Sequence, residues 1–280
     1  PFNAAEMLDL LAKHPITTLC AAPTIYRMLV QEDLSRYRFP ALRRCVAAGE
    51  PLNPEVIEVW RRHTGLTPAD GYGQTETVLA VGNFPGEDIR PGSMGKPAPG
   101  YDIAILDDEL RPVEPGAEGH VAIRTEPARA PGLLVEYWRA PEANARAFRG
   151  DWYLTGDRAT IDEDGYLWFV GRADDVILSA GYRIGPFEVE SALIEHPAVA
   201  EAAVVGVPDA MRGEIVKAFV VLTRGTEPSD ALAAELQEHV KATTAPYKYP
   251  RRIEFVPDLP KTISGKIRRV ELRARARQGA

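Results

Sequence analysis

Two patterns of hydrophobic and polar residues follow each other along the chain. Over residues 6–72, apolar residues recur at helical spacing and alternate with short, continuous apolar runs. The pattern predicts a helix over 6–14, a buried strand over 16–22, and a later helix that begins at Asn53 and ends at Gly65. Helices that alternate with buried strands indicate a largely parallel α/β sheet.

From about residue 91 the pattern changes to short strands with alternating polarity. Strands are predicted over 101–106, 119–125 and 166–170, with Pro-Gly and Asp-Gly turns between them. We therefore expect a small β-barrel-like subdomain that completes a first domain over residues 1–172.

A second unit follows a charged stretch near residues 172–175. Its elements, a mixture of helices and strands, predict a compact α+β C-terminal domain over 173–280 with a basic tail after its last strand. The predicted helices cover 187–195 and 230–243, and the predicted strands cover 200–207, 214–222 and 252–256.

Composition and net charge argue against several classes of protein. The chain is 45% hydrophobic and 26% charged, as is usual for globular domains, and its apolar runs fall far short of the roughly 20 residues that span a bilayer. A net charge of -7 argues against broad binding of nucleic acid or an anionic membrane. Cys20 and Cys45 lie in apolar runs, which predicts buried thiols and, as a default, a cytoplasmic location.

Several enzyme motifs are absent from the sequence. Neither Lys96 nor Lys266 is followed by the Ser or Thr of a G-x-x-x-x-G-K-[ST] phosphate loop. Gly71 and Gly73 do not extend into a dinucleotide-binding motif, and no G-x-S-x-G elbow is present. The five histidines are scattered without ligand spacing, so a metal held by His and Cys is not expected.

A glycine-rich polar run follows the helix that ends near Gly65. Its glycines would allow close approach of a ligand, Tyr72 offers a stacking face, Thr75 a hydroxyl, and Glu76 a hard oxygen ligand for Mg²⁺. By itself such a run is also typical of a polar turn. The run reads Asp70-Gly71-Tyr72-Gly73-Gln74-Thr75-Glu76.

Three further polar clusters lie at the ends of predicted elements. Asp157 follows a strand and a glycine, and its carboxylate could bind both hydroxyls of a ribose or simply cap a turn. Residues 171–185 combine charge and glycine, which is also typical of an exposed linker. Lys266 follows a Ser-Gly pair that predicts a flexible loop, although a lysine near a chain end is often only a solvated charge.

The order and spacing of these four clusters resemble those found in the adenylate-forming superfamily. This superfamily contains acyl-CoA synthetases, adenylation domains and luciferases. The closest resemblance is to the medium-chain acyl-CoA synthetases, and it covers essentially the whole chain. Segments 187–190, 216–222, 244–251 and 260–266 also look like that branch. The resemblance implies an ATP-dependent carboxylic acid:CoA ligase, which forms an acyl-adenylate and transfers the acyl group to a thiol.

By this resemblance, one set of residues binds ATP or AMP. Thr75 would contact the α-phosphate and the acyl carboxylate, Glu76 would hold Mg²⁺, and Lys266 would reach the reacting atoms from the small domain. Asp157 and Arg172 would bind the ribose. The other residues implied for the adenine and acyl pocket are Gly49, Glu50, Pro51, Asp70, Gly71, Tyr72, Gly73 and Gln74.

Thioester formation, by the same resemblance, follows rotation of the small domain about a hinge at Asp174. Arg183 would contact the acyl-adenylate. Ala180, Gly181 and Tyr182 would lie along the pantetheine of CoA. The residues implied near the CoA nucleotide are Arg212, Tyr249, Pro250 and Arg251. For Arg212 and Arg251, a surface ion pair is an equally good reading.

The chain departs from the family in one respect. Family members carry a Ser/Thr/Gly-rich phosphate loop that ends in Pro-Lys, and no such loop occurs in these 280 residues. We therefore expect a C-terminal part whose N-terminal partner segment is missing, inactive and poorly folded by itself. Open alternatives are an adenylation domain that loads a carrier-protein thiol and a non-catalytic nucleotide-binding module. Medium-chain fatty, short branched and aromatic acids all remain candidate substrates, and a homo-oligomer stays open.

Overall fold

Two units make up the structure, a computed structural model that describes residues 2–262 and 266–278. The division falls after Ala173, so that the first unit covers 1–173 and the second 174–280. Within the described ranges, no helix combines the length and apolar character needed to cross a membrane.

The first unit begins with a parallel sheet covered by helices. Strands β1, β2 and β3 pair in parallel in chain order, which confirms the predicted parallel α/β arrangement. Their bounds are Thr18–Ala21, Arg44–Ala48 and Ala69–Gln74, and the helices are α1 (Ala4–Lys13), α2 (Pro23–Leu29) and α3 (Pro54–Thr64), with a 3₁₀ turn at Leu34–Arg36. As predicted, Gly65 ends α3 in the left-handed conformation, with φ of 75°.

The two cysteines differ in exposure because of the strand pleat. In β1, Leu19 faces the helices and is buried, whereas its neighbour Cys20 faces the opposite side and is exposed. Cys45 in β2 joins the core with Leu8, Tyr26 and Trp60. The prediction of two buried thiols is therefore correct for Cys45 and wrong for Cys20.

Antiparallel strands continue the same sheet. The ten strands follow the order β1-β2-β3-β4-β5-β10-β9-β7-β6, with β8 paired to β9. The added elements are β4 (Val78–Gly82), β5 (Ser93–Pro97), β6 (Ile103–Leu106), β7 (Gly119–Arg124), α4 (Pro141–Ala147), β8 (Phe148–Arg149), β9 (Trp152–Ile161) and β10 (Leu167–Arg172). Pairing among the described strands is open at β1 and at β6, so the barrel-like subdomain predicted from residue 91 is the open antiparallel part of one larger sheet.

The second unit is an α+β unit built on a five-stranded sheet, in agreement with the predicted class. Its strand order is β12-β11-β14-β13, and β15 pairs in parallel with β14. The elements are β11 (Ile177–Ser179), β12 (Tyr182–Ile184), α5 (Pro186–Ile194), β13 (Val199–Asp209), β14 (Gly213–Leu222), α6 (Asp230–Thr243), a 3₁₀ turn at Pro246–Lys248, β15 (Arg252–Phe255) and α7 (Arg269–Gln278).

Strand β13 is buried on both faces. Ala202 and Val204 pack toward α5 and α6, whereas Ala203 and Val205 pack with residues of α7. This alternation follows from the two-residue repeat of a strand and explains why the strand reads as a continuous apolar run.

The basic tail predicted after the last strand is a docked helix over most of its length. In α7, Leu272 and Ala276 are buried against the sheet. Arg269 binds both carboxylate oxygens of Glu190 at 2.8 and 2.7 Å. The sequence interpretation assigned no secondary structure to this tail, because arginines that look like a solvated charge run find carboxylates elsewhere in the unit. Arg273 likewise pairs with Asp175, and Arg275 with Glu254.

Candidate functional site

A tight hairpin between β3 and β4 presents the two residues predicted to handle phosphate and metal. The Thr77 backbone N–H donates to the Gln74 carbonyl oxygen at 3.1 Å, and the Gln74 N–H donates to Thr77 Oγ1 at 2.9 Å. Thr77 is fully buried, while Thr75 is exposed and Glu76 half-buried. The buried Thr77 therefore shapes a turn whose tip displays Thr75 and Glu76.

The hairpin also contains a close backbone contact and a strained residue. A Cβ atom added at Gly73 would lie 1.6 Å from the Val78 carbonyl oxygen, so only glycine fits there. Val78 has φ of 55°, a left-handed conformation that is uncommon for a β-branched residue. Strain of about 1–3 kcal/mol at such a residue persists only where the surrounding structure imposes it, and it is frequent at functional sites.

Asp157 on β9 contacts three other predicted site residues, Tyr72, Gln74 and Arg172. Its Oδ2 accepts hydrogen bonds from the Tyr72 hydroxyl and from Gln74 Nε2, both at 2.6 Å. Its Oδ1 lies 3.4 Å from Nε of Arg172. Burial, followed by the Asp157 charge, raises the pKa of Tyr72 well above its ordinary value. The phenol therefore stays protonated and acts as a hydrogen-bond donor.

Two further carboxyl groups from the predicted site brace the backbone near Gly49 and Pro51. Glu50 accepts from the Thr24 N–H at 2.8 Å and pairs with Arg27 at 3.1 Å. Asp70 accepts from the Leu52 N–H at 3.2 Å and from the Gly71 N–H at 2.9 Å. Burial raises the pKa of Asp70 to about 7, against the lowering effect of these two N–H groups.

Glu76 supplies one carboxylate that could bind a metal ion. Among residues 2–262 and 266–278, no group of three or more His, Cys, Asp or Glu side chains could hold a metal ion. Mg²⁺ commonly takes one or two carboxylates and completes its shell with substrate phosphates and water. A half-buried carboxylate at an accessible turn therefore suits Mg²⁺ that arrives with a nucleotide.

Residues 171–185, whose composition is also typical of an exposed linker, contain a hairpin of the second unit. Ala180 and Gly181 form the two-residue turn between β11 and β12, with φ of 50° and 85°. Positive φ at both positions is typical of a type I′ turn. Tyr182 and Arg183 are exposed, and the Tyr182 ring stacks on Tyr247 with 4.1 Å between centroids.

The residues predicted for the CoA nucleotide lie in two segments of the second unit, the β13–β14 turn and residues 249–251 before β15. Arg212 lies in the β13–β14 turn and is 3.8 Å from Asp209, a long contact for an ion pair. Arg251 donates to the Tyr249 hydroxyl at 2.7 Å. Pro250 is buried, and its carbonyl oxygen accepts from Gln237 at 3.0 Å.

The Lys266 segment is held through its backbone. The Lys266 N–H donates to Thr262 Oγ1 at 3.0 Å, and the Thr262 N–H donates to the Lys266 carbonyl oxygen at 2.8 Å. Lys266 itself is exposed. The Ser-Gly pair of the predicted flexible loop lies at 264–265, outside the described residues. Asp174, the predicted hinge, is the first residue of the second unit and is exposed.

The structure adds two residues that the sequence interpretation missed, Tyr137 and Tyr153. The Tyr137 hydroxyl donates to Glu76 Oε1 at 3.1 Å and lies 3.3 Å from the Tyr153 hydroxyl. Tyr153 lies four residues before Asp157, but the sequence analysis predicted no function for it. Tyr137 had no local signal at all, because its partner is distant in the sequence.

Comparison with known proteins places this arrangement in a family. Residues 1–138 match the family model described as AMP-binding enzyme, and residues 188–266 match the AMP-binding enzyme C-terminal domain. Between them the two models cover most of the sequence. The chain belongs to the AMP-binding enzyme family, which confirms the resemblance to adenylate-forming enzymes.

Among its curated relatives are mitochondrial acyl-coenzyme A synthetases. The chain is 58% identical over 274 residues to ACSM3 of Mus musculus and 58% identical over 275 residues to ACSM4 of Homo sapiens. In both cases the match covers 97% of this chain and 47% of the relative. The chain thus spans about half the length of the curated relatives it matches.

Solved structures show the same fold. The anthranilate CoA ligase AuaEII, solved with anthranoyl-AMP, is 40% identical with a TM-score of 0.90, over 99% of this chain and 53% of that protein. A benzoate CoA ligase from Burkholderia xenovorans LB400 is 37% identical with a TM-score of 0.85, over 97% and 54%. ATP-bound MatB from Rhodopseudomonas palustris is 31% identical with a TM-score of 0.87, over 98% and 53%.

Proposed function

We propose that the protein containing this chain is an ATP-dependent carboxylic acid:CoA ligase of the AMP-forming type. The observation that carries the proposal is the first-unit cluster in which Asp157, Gln74 and Glu76 are held close to one another. The cluster occurs in a chain 58% identical to acyl-coenzyme A synthetases. The alternative is an adenylation domain that transfers the acyl group to a carrier-protein thiol instead of CoA.

In the adenylation half-reaction, two anions must meet, because a carboxylate attacks the α-phosphorus while pyrophosphate leaves. Glu76 would hold Mg²⁺, which neutralises phosphate charge when it is bound. Thr75 would donate its hydroxyl to the α-phosphate, and Lys266 would bring an ammonium to the oxygens that gain charge. Asp157 and Arg172 would bind the ribose, with Tyr72 and Gln74 orienting the carboxylate.

In the thioester half-reaction, Lys266 must leave the site so that a thiol can reach the acyl-adenylate. We propose that the second unit turns about Asp174 and brings the Ala180–Gly181 turn and Tyr182 to the pantetheine. Arg183 then contacts the acyl-adenylate. Arg212 and Arg251 supply cationic charge for the CoA phosphates, for which guanidinium groups are well suited. Their assignment supports CoA over a carrier protein as acceptor.

We propose a medium-chain fatty acid or an aromatic acid as substrate. The support for an aromatic acid is that two structural neighbours are named as anthranilate and benzoate CoA ligases. A cytoplasmic location also stays a proposal. Fractionation should include mitochondria, since the curated relatives are named as mitochondrial.

The test is pyrophosphate exchange by the full-length native polypeptide with a panel of fatty and aromatic acids, followed by AMP release with CoA. We expect exchange with at least one acid and AMP release that requires CoA. If no acid supports exchange, the proposal is wrong. If exchange occurs but CoA does not stimulate AMP release, the carrier-protein alternative gains support.

We further propose that the 280 residues by themselves do not catalyse the reaction, because their sequence contains no phosphate loop of the family type. The same exchange assay on the isolated chain tests this. Activity comparable to the full-length polypeptide would contradict it.

A further inference from the structure

Tyr137 is fixed at both its backbone and its side chain. The Asn144 side chain accepts from the Tyr137 N–H at 2.7 Å and donates to its carbonyl oxygen at 2.9 Å. Three residues earlier, the Leu134 N–H donates to the Glu76 carbonyl oxygen at 2.7 Å. The segment that carries Tyr137 is therefore bonded directly to the hairpin tip and anchored by α4.

The direction of the hydrogen bonds follows from the number of protons available. The carboxylate of Glu76 can only accept, so the single phenolic proton of Tyr137 goes to Glu76. The bond between the two phenols must then use the proton of Tyr153. The order of donation is Tyr153 to Tyr137 to Glu76.

Tyr153 is suited to a permanent donor role. It is 1% exposed, and burial together with its neighbours, including Tyr137, Glu76 and Asp157, raises its pKa. Its phenol stays protonated through the physiological range, so that its proton is always available to an acceptor.

The same phenol also connects to the other end of the cluster. Gln74 uses its Nε2 to bond Asp157 and the Thr155 carbonyl oxygen, at 2.6 and 2.9 Å. This orientation points Gln74 Oε1 toward Tyr153, at 3.5 Å from its hydroxyl. Tyr153 therefore lies between two acceptors, the Tyr137 oxygen and the Gln74 amide oxygen, and its single proton can bond only one of them at a time.

We propose that Tyr137 is a positioning residue for the metal carboxylate, and that Tyr153 supports it by donating its proton to the Tyr137 oxygen. This inference rests on the proposed function, which assigns Glu76 to Mg²⁺ and Asp157 to the ribose. Tyr137 holds one oxygen of Glu76, which limits rotation of the carboxylate and leaves the other oxygen as the metal ligand. Partners that orient metal ligands in this way commonly contribute about 10–100-fold to metal affinity.

The test measures Mn²⁺ binding to the full-length polypeptide with α,β-methylene ATP, by electron paramagnetic resonance of free Mn²⁺. Tyr137→Phe removes only the hydroxyl and should weaken Mn²⁺ binding about tenfold. Tyr153→Phe should weaken it about threefold, because its effect passes through Tyr137. Tyr166→Phe is the matched control, since its hydroxyl bonds the Asp88 carbonyl oxygen at 2.8 Å, away from the cluster.

A second readout separates positioning from a general structural role. Binding of the ATP analogue in EDTA should be unchanged in Tyr137→Phe, as should the melting temperature within a few degrees. The adenylation rate should return to the wild-type value at high Mg²⁺. If metal-free nucleotide binding falls together with Mn²⁺ binding, Tyr137 only supports the fold and the proposal is overturned.

The outcomes also distinguish this inference from the proposed function. If Glu76→Gln weakens Mn²⁺ binding and Tyr137→Phe does not, the inference fails while the function stands. If no acid supports pyrophosphate exchange by the wild type, the function itself fails. Should Tyr137→Phe not fold, Tyr153→Phe decides, because unchanged Mn²⁺ binding there overturns the proposed positioning of Glu76 through Tyr137 and a threefold loss supports it.

Discussion

The hairpin tip of the first unit and the Lys266 segment of the second carry the two groups expected to act on the same phosphate, yet they are built in opposite ways. Glu76 is half-buried and its side chain is hydrogen-bonded to Tyr137, which is itself anchored by α4. Lys266 is exposed, and its hydrogen bonds to Thr262 involve only the lysine backbone.

The difference matches two different tasks. A group that must hold a metal in fixed geometry gains from neighbours that restrict its side chain. A group that must arrive for one half-reaction and leave for the next needs a defined backbone and an unrestricted side chain. Substitutions in the two regions should therefore separate effects on rate from effects on stability.

The largest effect on rate is expected for Lys266→Ala. In the proposed mechanism the Lys266 ammonium stabilises the adenylation transition state, so its removal should slow pyrophosphate exchange by about 10²–10³-fold. Release of AMP from preformed acyl-adenylate with CoA should change little, and the melting temperature should stay within about 1 °C because the side chain is exposed.

Arg268→Ala is the matched control for this prediction. Arg268 is an exposed cation two positions away, paired with Glu271 at 2.5 Å. Equal loss of exchange in both variants would mean that local positive charge, and no specific contact of Lys266, drives adenylation.

Gly73→Ala should impair both stability and metal binding. The new Cβ would meet the Val78 carbonyl oxygen at 1.6 Å, which forces the hairpin tip open. We expect a loss of about 3 kcal/mol or more in the free energy of unfolding by urea titration, with weaker Mn²⁺ binding.

Gly165→Ala provides the comparison, since its φ is 82° but no atom lies within 4 Å of the added Cβ. It should cost about 1–2 kcal/mol and leave metal binding unchanged. A Gly73→Ala variant as stable as Gly165→Ala would show that the tip is not rigid.

The smallest expected effect is the contribution of Asp70 to the pH dependence of the free energy of unfolding. Because its pKa is raised to about 7 from 3.8, this carboxyl contributes stability that is complete below about pH 3.8 and is lost as pH rises through 7. Asp70→Asn cannot titrate, so its free energy of unfolding should fall less than that of the wild type between pH 5 and 8. Glu163→Gln, at an exposed turn, is the control, and parallel curves for wild type and Asp70→Asn would contradict the prediction.

Elements with a strong local pattern were predictable. The helix expected over 230–243 is observed as Asp230–Thr243, with the Ser229 side chain accepting from the Leu232 N–H at its start. Its stripe of Leu232, Leu236 and Val240 suffices to place it. In contrast, α7 has two described buried apolar side chains and is held by arginines whose carboxylate partners lie far away in the sequence.

The same distinction applies to the candidate site. The run that ends at Glu76 could be identified because all its residues are consecutive. Tyr137 and Tyr153 could not, because their roles arise only when β9 and the segment before α4 come next to the hairpin. Hydrogen bonds between residues distant in sequence leave no periodic signal.

The pairing of Arg273 with Asp175 has a mechanical consequence. It fastens the last described helix of the second unit to the residue that follows Asp174, so the unit's first and last segments are tied together. A torsional change in the backbone at Asp174 would then act on the start of the unit and on α7 together. In the rotation that we propose about Asp174, this ion pair would make Lys266, three residues before α7, move together with the start of the unit.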